Sequence, residues 1–414
     1  MPRPVLIAAL GVLTVMLDSA VNIALPAISA AFDVPPTSIQ AIVLTYVVAF
    51  SLALIPAGRL ADRAGHARVF RAGLALTGIT HLLCGLAPTW PWLLGARVVQ
   101  GFGAALVMGS APALVTLTTP AGRRGRALGW LGLAASVGAV VGPLAGGLLV
   151  GRLGWPIVYL GRLPLAVLGL ALARGPSGAG VASAADRAPS LRADASSPAG
   201  VLAGVDDRRG FIVANAAHLL ANAGWFAIWL LVPYYLIDRR GFPAGLSGLL
   251  FAVGPLAQAG ATPLGGRLAD RGLGRGLAPV ALAVEAWGLW LTGRLDDGVS
   301  PATIAVALGL AGFGSGLFVV ANMHYVMGAV AAERQGTAGS LVSLMRTAGI
   351  VVGANVTTAV YSARLVAHAD LGREAAAASA FADALGVAAV IAAAAALLSL
   401  IPPRTRNEAR ASVP

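Results

Sequence analysis

Gly58-Arg59-Leu60-Ala61-Asp62-Arg63 is repeated letter for letter as Gly266-Arg267-Leu268-Ala269-Asp270-Arg271, 208 residues later in a chain of 414. A second pairing, Gly101-Phe102-Gly103 with Gly312-Phe313-Gly314, has an offset of 211. That offset persists through Gly125 with Gly336, Ala127 with Ala338, Gly138 with Gly349 and Gly142 with Gly353. One shared hexapeptide could arise by chance in an Ala-, Gly- and Arg-rich chain. A half-length offset held across several segments could not. The chain consists of two similar halves.

Composition says what each half is made of. Hydrophobic residues make up 57% of the chain and charged ones 11%, with a mean hydropathy of +0.81. Soluble domains carry about 25% charged residues, so a water-soluble globule of this composition would expose large apolar surfaces. Lipid solvates such surfaces, and the 53 glycines suit helices that pack closely within it. A crossing helix needs about 20 predominantly apolar residues. The sequence offers twelve such segments, at 5–25, 38–57, 69–87, 92–115, 127–150 and 156–173, then 211–236, 244–264, 277–293, 302–326, 337–361 and 381–401. The first is longer than a signal-peptide core and reads as a retained helix.

The expected fold is an all-α membrane protein of twelve transmembrane helices in two six-helix bundles, 1–173 and 211–401. A cytoplasmic linker (174–210) joins them and a cytoplasmic tail (402–414) follows. Six spans per half make a parallel repeat, with a pseudo-twofold along the membrane normal. The linker is rich in Ala, Ser, Gly and Pro and reads as flexible. Placing both termini in the cytoplasm puts 20 arginines on the inner side and 6 on the outer, which sets the orientation. The expected location is the inner (cytoplasmic) membrane.

Several functions are excluded. The net charge of +12 does not indicate nucleic acid, because all 29 basic residues are Arg and none gathers into a basic domain. The single Cys84 forms no internal disulfide and no cysteine-rich metal site. A chain without Lys cannot supply the lysine of a phosphate loop, and no soluble domain is large enough to hydrolyse nucleotide. Neither an enzyme nor a cofactor is expected, so energy comes from a gradient or transport is passive.

Polar groups inside spans mark function, because lipid makes them costly. Asp18 lies about 20 Å from the inner face at 1.5 Å per residue, and shares a helix face with Thr14 and Asn22. A carboxylate at that depth can exchange a proton. Arg97 opens the fourth span, with Gln100 one turn on, and its repeat mate is Leu308, so symmetry does not explain it. Arg162 lies at a depth similar to that of Asp18, which suggests an ion pair. Gly138, Gly142, Gly146 and Gly147 form a groove on the fifth span, with Pro143 as a kink. In the seventh span Asn215, His218, Asn222, Trp225 and Trp229 form one stripe, either a substrate wall or helix packing with an interfacial tryptophan. Asn322, His324 and Tyr325 in the tenth span, with Arg346 and Asn355 in the eleventh, complete the candidate substrate cavity. Glu285 and His81 have no assignable partner. Asp62, Arg63, Arg68, Asp270 and Arg271, with Gly58, read as gating loops on the inner side.

These residues resemble the major facilitator superfamily over essentially the whole chain. Gly58 through Gly65-His66-Ala67-Arg68 looks like its signature loop between the second and third helices. Arg97-Val98-Val99-Gln100-Gly101 is similar to its fourth-helix motif, associated with proton coupling. Gly142-Pro143 resembles the fifth-helix motif of drug:proton antiporters, and Leu17-Asp18 through Asn22 to Pro26 looks like the first-helix motif of a multidrug branch that commonly has fourteen spans. Two central helices of that branch are absent here, and Arg162 stands where the branch usually shows Asn. The resemblance implies a proton antiporter that expels hydrophobic or amphipathic compounds, drug or self-made metabolite, by rocker-switch alternating access. Asp18 and Arg97 would then couple protons. Its partners would be a small-molecule substrate, protons and the lipid bilayer, with no nucleic acid, and it would act as a monomer. An importer or facilitator of a small nutrient on the same fold is the first alternative; a non-transporting receptor or scaffold is the second.

Overall fold

The computed structural model describes residues 3–120, 124–174, 205, 207–269, 271, 274–330 and 335–401. Asp270, the linker residues 175–204 and the tail 402–414 lie outside them. The longer helices are α1 (Arg3–Met16), α2 (Ala20–Phe32), α3 (Ala41–Ala64), α4 (His66–Gly85), α5 (Trp90–Thr118), α6 (Arg124–Leu153) and α7 (Leu163–Arg174). The second half contributes α8 (Arg208–Tyr234), α9 (Ala244–Leu268), α10 (Gly274–Gly293), α11 (Pro301–Gly328), α12 (Gln335–Ala367) and α13 (Arg373–Ser399). A three-residue 3-10 turn, Leu17–Ser19, joins α1 to α2 into one interrupted span.

The protein is all-α and crosses the membrane many times. Ten helical segments among the described residues are long and apolar enough to span, fewer than the twelve expected. The two shortfalls are the third and sixth segments. α4 occupies the third position but begins with His66, Arg68 and Arg71 and stays out of the apolar count, while Ile157–Ala173 is apolar but shorter. Most spanning helices extend a turn or more beyond the apolar runs in the sequence, because backbone hydrogen bonding does not stop where the lipid does. Side chains such as Leu52, Val306 and Val390 are more than 60% exposed on the bundle surface, a display that only an apolar solvent accepts without aggregation.

The signature hexapeptide corrects one expectation. Gly58–Arg63 is not a loop: it forms the last turns of α3, and the chain turns only at Gly65, whose φ of 93° lies in the left-handed region that favours glycine. Gly266-Arg267-Leu268 likewise closes α9. Alternating loop and span was too coarse a template, since a helix can carry charged residues once it leaves the hydrocarbon.

The residues group into two compact units. One holds α1–α7 together with Leu236–Ala252; the other holds α8 and the helical residues from Val253 onward. Within each, the repeat is visible as glycine packing. A Cβ added at Gly101 would lie 2.6 Å from the Tyr46 carbonyl oxygen on α3, and one at Gly103 3.0 Å from Thr77 Oγ1 on α4. In the second unit the same two positions of α11, Gly312 and Gly314, press on Gly254 of α9 and on Ala281 and Glu285 of α10. Gly138 of α6 meets Met16, Gly142 meets Ser19 and Ala20, and Gly146 meets Ala20 and Ile23. Correspondingly, Gly349 and Gly353 of α12 meet Leu219 and Ala223 of α8. Missing side chains therefore set the helix separations, as close packing in lipid requires.

Gly101→Ala should destabilise the protein by about 1–3 kcal/mol, the usual range for overpacking, because backbone rather than a mobile side chain stands in the way. Gly95→Ala, on the same helix with no neighbour within 4 Å, should be neutral or slightly stabilising. Thermal unfolding in detergent distinguishes the two; equal midpoints would refute the packing assignment.

Candidate functional site

A cluster of opposite charges is buried in the first unit. Asp18 sits on the 3-10 turn between α1 and α2, where the regular hydrogen-bond ladder is interrupted. Arg97 of α5 grips it with both terminal nitrogens, Nη1 to Oδ1 at 2.7 Å and Nη2 to Oδ2 at 2.9 Å. Arg162 donates from Nη1 to the same Oδ1 at 2.8 Å. The structure thus brings all three residues together, and joins two cations to one carboxylate.

The arginines are held from behind. Arg97 Nε donates to the Ile42 carbonyl at 2.9 Å, and its Nη1 also donates to Gln100 Oε1 at 2.8 Å. Gln100 Nε2 reaches Asp18 Oδ1 at 3.4 Å. The Arg97 guanidinium carbon lies 4.4 Å from the centroid of the Tyr46 ring, and that of Arg162 lies 5.3 Å from the Tyr159 ring, both within cation–π range. Arg162 Nε donates to the Val158 carbonyl at 2.7 Å. Arg162 itself occupies an interruption, between the short helix Ile157–Leu160 and α7. The Arg97 side chain is fully buried, that of Arg162 is 5% exposed and that of Asp18 13%, so the carboxylate is the most accessible member. Arg162 Nη2 and the Tyr159 hydroxyl are buried without a hydrogen-bond partner.

Other expected residues divide by location. Asn22 is buried near the cluster but donates to the Ser19 carbonyl at 3.2 Å rather than to Asp18. Ser19 in turn donates to the Gly138 carbonyl at 3.1 Å, which ties the charged turn to the glycine face of α6. Gly147 lies against Ala244 and Gly248, in the same unit, and Pro143 stays within an unbroken α6. In the second unit, Asn215, His218 and Trp225 are buried; His218 stacks on Phe318 at 5.9 Å and Trp225 packs toward Gly254. That part of the α8 stripe packs helices. Asn222 is half-buried and donates to the His218 carbonyl at 2.8 Å. Asn322 is buried, with Nδ2 unpartnered. His324, Arg346 and Asn355 are exposed. The Tyr325 hydroxyl donates to Asp207 at 2.9 Å, and Asp207 caps α8 by accepting from the Gly210 nitrogen at 3.0 Å, so Tyr325 secures a helix end. In the hexapeptide region Asp62 lies 3.5 Å from His66 at the start of α4, and Arg63, Arg68 and Arg271 are exposed.

Sequence reasoning missed Tyr46 and Tyr159. Tyr159 falls three residues before Arg162, about one helical turn, and that spacing could have found it; Tyr46 carried no comparable signal. His81 and Glu285 are both fully buried, and neither ring nitrogen nor carboxylate oxygen has a hydrogen-bond partner. No group of three or more potential metal-ligating side chains occurs among the described residues.

Comparison with known proteins adds a family. The model described as Major Facilitator Superfamily matches residues 7–354 and 214–413. The uncharacterized MFS-type transporter Rv1250 of Mycobacterium tuberculosis (strain ATCC 25618 / H37Rv) is 40% identical over 174 residues, which span 42% of this chain but only 30% of that protein. The multidrug resistance protein Stp of Mycobacterium tuberculosis (strain CDC 1551 / Oshkosh) is 30% identical over 405 residues, covering 86% of this chain and 75% of its own. Two solved structures share the fold. A bacterial homolog of the human lysosomal transporter Spinster, inward-facing and unoccupied, superposes with a TM-score of 0.75 at 18% identity, over 96% of this chain and 95% of its own. A D-xylose-proton symporter gives 0.72 at 15% identity, over 98% of both chains.

Removing one member of a buried ion pair leaves its partner uncompensated, at about 3–5 kcal/mol. Asp18→Asn should therefore lower stability by that amount, and adding Arg162→Gln should recover part of the loss. Chemical denaturation in detergent measures both; strictly additive losses would show that Asp18 and Arg162 do not interact.

Proposed function

The chain belongs to the Major Facilitator Superfamily, and from that premise we propose that it exports small hydrophobic or amphipathic compounds in exchange for protons. The carrying observation is Asp18, the most accessible member of a buried charge cluster, fixed by two guanidiniums at a point where its helix is interrupted. While ionised, Asp18 ties together the first span, α5 and the sixth segment. A proton on the carboxylate removes the charge that holds both arginines, and the three segments become free to separate. A proton thus biases a two-state contact, which is what alternating access needs. Gln100 stays hydrogen-bonded to Arg97 and keeps its guanidinium in register. That Stp is named a multidrug resistance protein supports export over import.

The same reading takes the ten apolar spans together with α4 and Ile157–Ala173 as twelve crossings. They would form two six-helix bundles, 1–173 and 211–401, with the linker and both termini cytoplasmic in the inner membrane. Substrate would meet Asn22 and Gln100 in the first unit, and Asn222, Asn322, His324, Arg346 and Asn355 in the second. The ends of α3 and α9, with Arg63, Arg68 and Arg271, would gate the inner side.

Purified protein in sealed vesicles with an imposed pH gradient tests the coupling. Addition of an exported compound, found by screening a susceptible host for resistance, should discharge the gradient. Asp18→Asn should abolish that discharge and Arg162→Ala should alter its pH dependence. Substrate uptake unaffected by Asp18→Asn would point instead to a facilitator, and no flux of any solute to a receptor or scaffold.

A further inference from the structure

A cavity of about 550 Å³ opens on the second unit where α10, α12 and α13 meet, away from the Asp18 cluster. Arg294 follows the last residue of α10, and Arg364 lies in the final turn of α12. Both line this cavity, with Trp290 as one wall and Val360 and Val390 as apolar floor. Asp383 of α13 contacts Arg364 Nε at 3.3 Å and His368 Nε2 at 3.3 Å, and the Arg364 side chain is 54% exposed. The Arg294 guanidinium lies 5.2 Å from the Trp290 ring centroid, within cation–π range.

Charge and shape together select a ligand. Two guanidiniums against one carboxylate leave the lining with one excess positive charge, and Asp383 is already shared between Arg364 and His368. Val390 is 68% exposed and Trp290 45% exposed, so the floor and wall face the surroundings of the bundle, which in a membrane protein is lipid. Trp and Arg at a helix end mark the depth of the headgroups. We propose that this cavity binds one anionic phospholipid, its phosphodiester on Arg294 and Arg364 and an acyl chain along Val360 and Val390. A phosphodiester carries a single negative charge and matches the excess. A zwitterionic lipid brings an ammonium as well, and the one carboxylate of the lining already meets Arg364 and His368. Guanidinium suits this role through its planar set of donors, which match phosphate oxygens. The site is independent of proton coupling and stands or falls separately from it.

The test uses the purified full-length chain in detergent, with phosphatidylglycerol and phosphatidylcholine of identical acyl chains added in turn. Native mass spectrometry should show one retained phosphatidylglycerol, bound at least tenfold more tightly than phosphatidylcholine, with the preference shrinking as salt rises. Arg294→Gln with Arg364→Gln should remove the preference. Gly386→Leu, which fills the cavity from a position with nothing within 4 Å, should reduce retention of the lipid while leaving the arginines in place. Equal affinity for the two lipids, or a preference that survives the double substitution, would overturn the proposal. So would inorganic phosphate alone displacing the lipid at millimolar concentration, since that outcome describes a free-anion site.

Discussion

The hydrocarbon of a bilayer offers a polypeptide neither hydrogen bonds nor counter-charges, and the helices, the charge cluster and the glycine contacts of this chain answer that constraint. Backbone groups satisfy one another within helices, because nothing else at that depth can. Charged side chains inside the spans must bring their own partners, which is why Asp18, Arg97 and Arg162 are found together rather than scattered. Without a hydrophobic force to draw helices together, close approach depends on glycine, and the glycines of α5, α6, α11 and α12 are where the helices meet.

What was legible in the sequence follows from the same constraint. Apolar length located the helices, and the repeated glycines located their contacts, because both are properties of a single residue type at a fixed spacing. Asp18, Arg97 and Arg162 were legible as costly residues, and Asp18 and Arg162 as residues at similar depth. The orientation of individual polar side chains was not. The α8 stripe has an unbroken helical period, yet Asn215, His218 and Trp225 are buried, His218 on Phe318 and Trp225 toward Gly254, while Asn222 is half-buried. Period fixes which residues share a face, and only neighbours decide what that face meets. Tyr325 looked like a cavity residue and instead holds Asp207, a partner 118 positions away that no local pattern announces. The hexapeptide misled for a different reason: charge was taken to end a helix, whereas the backbone conformation of Gly65 does.

The two units share their glycine contacts but not their charges. Where Gly103 presses on Thr77, Gly314 presses on Ala281 and Glu285, and one turn beyond Thr77 lies His81. Thr77 and Glu285, 208 residues apart, thus occupy comparable places, and both are fully buried. A repeat that preserves packing while exchanging a hydroxyl for a carboxylate keeps its frame and varies its chemistry. Leu308 and Ala354 stand at the repeat positions of Arg97 and Pro143, and both are fully buried in apolar surroundings.

Helix continuity follows the charges. In the first unit, the span that carries Asp18 is interrupted at Leu17–Ser19, and the segment that carries Arg162 is interrupted before α7. Their counterparts in the second unit, α8 and α13, each run unbroken for 27 residues. An uninterrupted helix holds its side chains at fixed heights and angles, so a carboxylate on it could meet two arginines from different helices only by accident of rotamer. Interrupting the ladder frees the turn to aim Asp18, and the Ser19 hydroxyl of the same turn donates to the Gly138 carbonyl of α6. The glycines of α6 that line this turn leave room for it. The charge cluster, the helix break and the glycine face are therefore one device, present in one unit, while the other unit retains the unbroken form of the same fold.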